Sequence, residues 1–175
     1  AFFNKNGRVH PVDRIDHPFG PLFSGNSRVL ILGSFPSVKS REEKFYYGHP
    51  QNRFWRLIAN LTGEEVPTTI EEKKALLLQH KIALWDVVLE CDIIGSSDSS
   101  IRNVVPADIN RILRSAKIEK IIGNGEKACT LYEKYCKEVT GRDIIKCPST
   151  SPANAAFGMG RLIEEWRMIM IDFAH

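Results

Sequence analysis

The amino-acid sequence predicts an α/β fold built on a parallel sheet, and three observations carry the prediction. Short apolar runs of strand length recur along the chain, bounded by Gly, Pro, Asp or Ser. Between them, apolar residues return at spacings of three and four, as in helices that bury one face. Alternation of the two patterns gives parallel strands covered by helices. The third observation is size: 175 residues suffice for one hydrophobic core, so residues 1–175 are read as a single domain.

The elements follow in order. Arg28–Gly33 (RVLILG) is the clearest strand, followed by Ile82–Val88 (IALWDVV), Ile118–Ile122 (IEKII) and Asp143–Cys147 (DIIKC). Phe54, Ile58 and Leu61 form one helical stripe, and Ile109, Ile112, Leu113 and Ala116 a second. Ala128, Leu131, Tyr135, Cys136 and Val139 form a third; Leu162, Ile163, Trp166, Met170 and Phe173 a fourth. Residues 1–27, 34–50 and 91–105 show neither period and are read as long loops, where function concentrates.

Composition narrows the class. Apolar residues make up 43% and charged residues 26%, too rich in core formers for a disordered chain. The longest clean apolar run, VLIL, is far too short for a membrane span, and the amino terminus shows no signal-peptide core, so the expected address is intracellular. Net charge is only +3, yet residues 1–60 hold nine Lys/Arg against four Asp/Glu. That basic third suits a polyanion such as nucleic acid, or simple solubility. Cys91, Cys129, Cys136 and Cys147 form no C-x-x-C pair and have no close His partner, so they read as free, mostly buried thiols, and no metal or cofactor is expected.

Ligands of open parallel sheets bind beyond the carboxyl ends of the strands. Three loops leave those ends: Gly33-Ser34-Phe35-Pro36-Ser37, the Cys91–Pro106 segment and Pro148–Ala155, and they are expected to converge. GNGEKA (123–128) has neither the dinucleotide nor the P-loop pattern and reads as a strand-to-helix turn.

The first of these loops continues into Tyr46-Tyr47-Gly48-His49-Pro50-Gln51-Asn52-Arg53-Phe54-Trp55. Together with LWDVVLECDIIGSSDSSI at 84–101, GNGEKA and STSPANA at 149–155, this segment resembles the uracil-DNA glycosylase superfamily. The similarity is greatest to its hypoxanthine-DNA (deoxyinosine) glycosylase branch, which is related to the mismatch-specific branch. The resemblance implies a three-layer α/β/α sandwich with a short, mainly parallel four-stranded sheet. It also implies no cofactor, a monomer, and hydrolysis of the N-glycosidic bond of a deaminated base in DNA.

That chemistry assigns roles. A base inside a duplex must be flipped out and held, usually on an aromatic ring. Tyr46 or Tyr47 supplies the platform, Tyr47 by its place in the motif, with Phe35 closing the other face and the tyrosine hydroxyl incidental. A polar group must orient the attacking water. Related branches place Asp or Asn in the first-strand loop, where this chain has Ser34 and Phe35, so the role falls to the Asn52 carbonyl; an N-cap is the competing reading of Asn52. Uracil-removing relatives carry Asn near the end of the second strand, where this chain offers Asp86; Asp86 or Asp98 is placed to accept from a purine N–H, or to cap a turn. His49 and the hydroxyl-rich Ser149, Thr150, Ser151, Pro152 and Asn154 are assigned to the DNA backbone, although the same loop also caps a helix start. A uracil- or xanthine-directed enzyme of the same superfamily is the nearest alternative. A non-catalytic nucleotide-binding α/β module is the more distant one.

Overall fold

The structure, a computed structural model, describes residues 11–170. The predicted parallel sheet is present as β2 (Val29–Gly33), β3 (Ile82–Asp86), β6 (Lys120–Asn124) and β7 (Ile145–Cys147), in the order β3-β2-β6-β7. Every residue of β2 and β3 is buried, as expected of strands whose sequences are apolar almost throughout. Four helices correspond to the four stripes: α2 (Phe54–Thr62), α4 (Asn110–Ser115), α5 (Glu126–Tyr135) and α7 (Met159–Met170). Phe173 lies outside the described residues.

The chain leaves β2 toward β3 on one side of the sheet, then returns past β2 to β6 and β7 on the other. Right-handed crossovers therefore put α2 and α3 (Ile70–Gln79) on one face and α4 and α5 on the opposite face. Packing agrees, with α2 against α7, α3 against β3, and α5 against β6 and β7. The change of direction falls between β2 and β6, and a crevice opens at their carboxyl ends.

Four expectations are corrected. Ile82–Val88 is not one strand: it ends at Asp86, and a new strand, β4 (Val88–Ile93), starts after Val87. The stretch 91–105 is not a loop, because β4 and β5 (Arg102–Pro106) pair across it and β1 (Asp13–Asp16) adds to β4, forming a second, antiparallel sheet of order β1-β4-β5. Charge rather than apolar alternation ties this sheet: Arg14 donates to Glu90 at 2.8 Å, Asp92 at 3.3 Å and the Asn103 carbonyl at 2.5 Å. The third stripe is broken, since α5 ends at Tyr135 and a short α6 (Lys137–Thr140) follows; Val139 is 71% exposed, and the buried tyrosine is Tyr132, bonded to Thr140 and the Arg142 carbonyl. Finally, the presumed loop 34–50 contains α1 (Val38–Glu43), whose amino end is capped by Ser37 accepting from Ser40 N–H.

All four cysteines are free thiols. Burial pushes Cys91 and Cys136 up to about 11 and Cys147 to about 12, which leaves them protonated packing residues. No helix among the described residues is long and apolar enough to cross a membrane.

Candidate active site

At the crevice beyond β2 and β6 lies a cavity of about 370 Å³. The three loops singled out in the sequence meet there, contributing Ser34, Phe35, Pro36 and Ser37 from the first, Ser96 and Asp98 from the second, and Ser149–Ala153 from the third. Tyr46, Tyr47, His49, Asn52 and Asp86 complete the lining with Ser40 and Asn124. Asn154 alone among the assigned residues lies elsewhere, in the adjoining groove with Lys146, Phe157 and Arg161.

Gly33, the last residue of β2, sets the floor. Its register partner is Asp86, and a side chain here would collide with Asp86 Oδ1 and lie 3.0 Å from the Tyr47 hydroxyl. Glycine thus makes room for two polar atoms to approach the same backbone point. The Tyr47 hydroxyl is buried without a hydrogen-bond partner. Burial, reinforced by the Asp86 charge and opposed by the Asn124 amide, pushes this phenol well above the ordinary tyrosine range. It is a neutral donor.

Tyr47 is also held in an unusual backbone state, with φ of 53°. A bulky residue seldom adopts the left-handed region unless its surroundings impose it. Both flanking peptide groups are fixed: the Tyr46 carbonyl accepts from Trp55 Nε1–H at 3.1 Å, and Gly48 N–H donates to the buried Ser40 hydroxyl at 3.0 Å. The ring rests on Phe54, centroids 4.3 Å apart. Tyr46, by contrast, is 2% exposed, donates to the Gly20 carbonyl and is packed edge-on by Phe19 and Phe45, so little of its ring is left to stack on.

Asn52 departs from its expected orientation. Its Oδ1 accepts from the Phe54 backbone N–H at 3.0 Å and from the Thr150 hydroxyl at 2.8 Å. A backbone N–H only donates, so the atom facing Phe54 is the carbonyl oxygen, and both its lone pairs are occupied. The NH2 group is the end left for the cavity. The same logic fixes the neighbours: Thr150 N–H donates to Asn124 Oδ1, so the Asn124 NH2 donates to the Thr150 hydroxyl at 3.0 Å, whose proton must point to Asn52. The bond to Phe54 is an Asx turn ahead of α2 rather than the expected N-cap, a position held by Arg53 without a side-chain cap bond.

The third loop owes its shape to Arg53, which sequence reasoning passed over. Its guanidinium donates to the carbonyls of Thr150, Ser151, Asn154 and Phe157, and its backbone N–H donates to Thr150 as well. Thr150 is fully buried with its hydroxyl directed at Asn52, and Asn154 Nδ2 donates to the Ser149 carbonyl. These two assigned DNA contacts therefore hold the loop together, while Pro152 and Ala153 project at the exposed mouth. Gly125, with φ of 95°, gives the loop its close approach to α5: a side chain there would sit 2.9 Å from Ser149 Cβ. The His49 ring accepts from Gln51 N–H, within its own loop.

Asp98 is exposed as a residue, yet one carboxylate oxygen accepts from the Ser34 hydroxyl at 2.8 Å. Burial of its carboxyl raises its pKa above the ordinary Asp value, opposed by Ser34 and Lys127 and aided by the Asp86 charge. Arg41, donating to the Gly95 carbonyl at 2.6 Å, and Ser96, accepting from Val38 N–H, fasten this loop to α1. His17, also passed over, bonds Asp86 Oδ2 from beneath. No local period marks either residue.

The model of the uracil DNA glycosylase superfamily matches residues 21–168. A hypoxanthine DNA glycosylase of Methanosarcina acetivorans is 36% identical over 157 residues, covering 89% of this chain and 98% of the relative. One of Methanosarcina barkeri is 34% identical over 115 residues, covering 63% and 71%. The solution NMR structure of a candidate uracil DNA glycosylase from Methanosarcina acetivorans superimposes with a TM-score of 0.77 at 34% identity, covering 90% of this chain and 97% of that one. Fold, cavity and sequence together place the chain in the uracil DNA glycosylase superfamily.

Proposed function

We propose that this chain is a monofunctional DNA glycosylase that releases hypoxanthine from deoxyinosine and leaves an abasic site. The observation that carries the reading is the unmatched pair on the cavity floor, the neutral Tyr47 hydroxyl and Asp86 Oδ1. A donor and an acceptor side by side complement a lactam edge, N–H beside C=O, which hypoxanthine presents at N1 and C6. Two relatives that span most of this chain or of themselves carry the name hypoxanthine DNA glycosylase.

In this reading the nucleotide is flipped into the cavity, the edge of its base meets the Tyr47 hydroxyl and Asp86, and Phe35 closes over the base, excluding water from the bond that breaks. As the base departs, positive charge grows on the sugar, and Asp98, in the second loop, is the carboxylate that offsets it. The Asn52 NH2 holds the attacking water through the water's oxygen, leaving the other lone pair free for the anomeric carbon. The lining includes neither lysine nor cysteine to act as nucleophile, which favours release without strand cleavage. The expected partner is genomic DNA inside the cell, approached through the exposed mouth at Pro152 and Ala153.

The test is incubation of end-labelled duplexes carrying deoxyinosine, deoxyuridine, deoxyxanthosine or normal bases, then alkali to cut abasic sites. Cleavage greatest at deoxyinosine supports the proposal. Preference for deoxyuridine or deoxyxanthosine overturns the substrate, and no alkali-labile site in any duplex overturns the activity.

A further inference from the structure

His17 lies just after β1, 69 residues before Asp86, and its side chain is fully buried. Its ring is packed edge-on by Phe19 at 4.4 Å and Phe35 at 5.9 Å, with Tyr46 tilted against it at 6.2 Å. Phe19 N–H donates to Nδ1 at 3.4 Å. A backbone N–H cannot accept, so Nδ1 carries the lone pair and the ring proton is on Nε2, which lies 2.7 Å from Asp86 Oδ2. An imidazole enclosed in this way has no other use for its proton.

The consequence falls on Asp86, whose side chain is 4% exposed. Its Oδ2 is occupied by His17, while Oδ1 points over Gly33 toward the Tyr47 hydroxyl and has no hydrogen-bond partner among the described residues. A carboxylate free to rotate would present either oxygen and hydrate itself; this one is pinned, with one acceptor always facing the cavity.

We infer that His17 is a positioning residue for base selection: it locks Asp86 so that Oδ1 is a fixed acceptor, and the site thereby admits bases that bring an N–H donor beside a carbonyl and rejects those that bring an acceptor there. The inference rests on the proposed function and adds the edge of the base that is read and the group that enforces the reading. A buried polar site left unpaired discriminates far more strongly than a change of shape.

The experiment measures single-turnover base release from duplexes containing deoxyinosine or 2′-deoxynebularine, the purine analogue lacking both the N1–H and the C6 carbonyl. His17→Phe keeps the aromatic packing but removes the donor. It is expected to slow deoxyinosine about tenfold or more and deoxynebularine by less than about threefold. His17→Gln, which keeps an N–H at similar reach, should recover most of the deoxyinosine rate. Asp86→Asn tests the lock without touching His17: the amide carbonyl must face the histidine, its NH2 then faces the cavity, and deoxyinosine should again fall while deoxynebularine does not.

A parallel fall on both substrates in His17→Phe, or a glutamine variant as slow as the phenylalanine one, overturns the inference and leaves His17 a packing residue. Should His17→Phe not fold, Asp86→Asn decides: an unchanged deoxyinosine rate, or equal losses on both duplexes, overturns it. Wild-type protein that releases no hypoxanthine overturns the substrate reading and this inference together, a result distinct from selective failure of the variants.

Discussion

The Thr150 hydroxyl donates to Asn52 Oδ1 at 2.8 Å, across 98 residues of sequence. With Phe54 N–H on the same oxygen, this bond turns the Asn52 NH2 toward the cavity. Replacement by aspartate separates the two ends of the amide, because a carboxylate still accepts from Phe54 and Thr150 but cannot donate. Asn52→Asp is expected to melt near the parental temperature yet lose roughly a hundredfold in single-turnover release, as Asn52→Ala does. Asn52→Ala also loses the bonds to Phe54 N–H and the Thr150 hydroxyl, about 1 kcal/mol of stability. An aspartate variant with parental rate would show that Asn52 serves only to accept from Phe54 and Thr150.

Tyr47→Phe tests the buried hydroxyl. If stacking were the whole role of Tyr47, the substitution would be silent, as the motif alone suggests. The hydroxyl is instead buried and unpaired in the free protein. Its removal should raise stability by about 1 kcal/mol and lower deoxyinosine release about tenfold, since the base carbonyl then meets no donor. Thermal melts and single-turnover rates on one preparation check both halves, and a variant that is both destabilised and fully active would contradict the geometry.

Arg53 binds three carbonyls of the third loop and that of Phe157 just beyond it with one planar fork. A lysine carries the charge but not the fork. Arg53→Lys is therefore expected to behave like Arg53→Ala, losing about 2 kcal/mol of stability and weakening capture of duplex DNA. Full function in the lysine variant would mean that charge alone is needed.

Ser34 and Asp98 predict an acid-range effect. The folded pKa of Asp98 lies above its ordinary value of 3.8, chiefly through burial, so the native state holds this proton more tightly than the unfolded chain does. The associated stability is fully present below the unfolded pKa and is lost as pH rises through the folded one. The Ser34 hydrogen bond favours the carboxylate and limits the shift. Ser34→Ala should move the Asp98 titration, followed by carboxyl NMR, to higher pH and extend the loss of stability upward with it. A midpoint that stays or falls would show that the bond does not form in solution.

The chain's hydrophobic periods determined the parallel sheet. Val29–Leu32 and Ile82–Leu84 are apolar at every position, which suits only strands covered on both faces, and that topology forces the Ser34, Asp98 and Ser149 loops to one end. The Tyr47, Asn52 and Asp86 positions were legible from motif resemblance. The antiparallel sheet was not, because Arg14, Glu90 and Asp92 join it through ion pairs between distant residues, which impose no local period. Nor were His17 and Arg53, a histidine before a proline and an arginine between Asn52 and Phe54, whose partners lie 69 and about a hundred residues away. Only the tertiary structure decided which end of Asn52 faces the cavity and which oxygen of Asp86 is free. Periodicity reports which side of an element is buried; the direction of a hydrogen bond depends on donors that meet it in space.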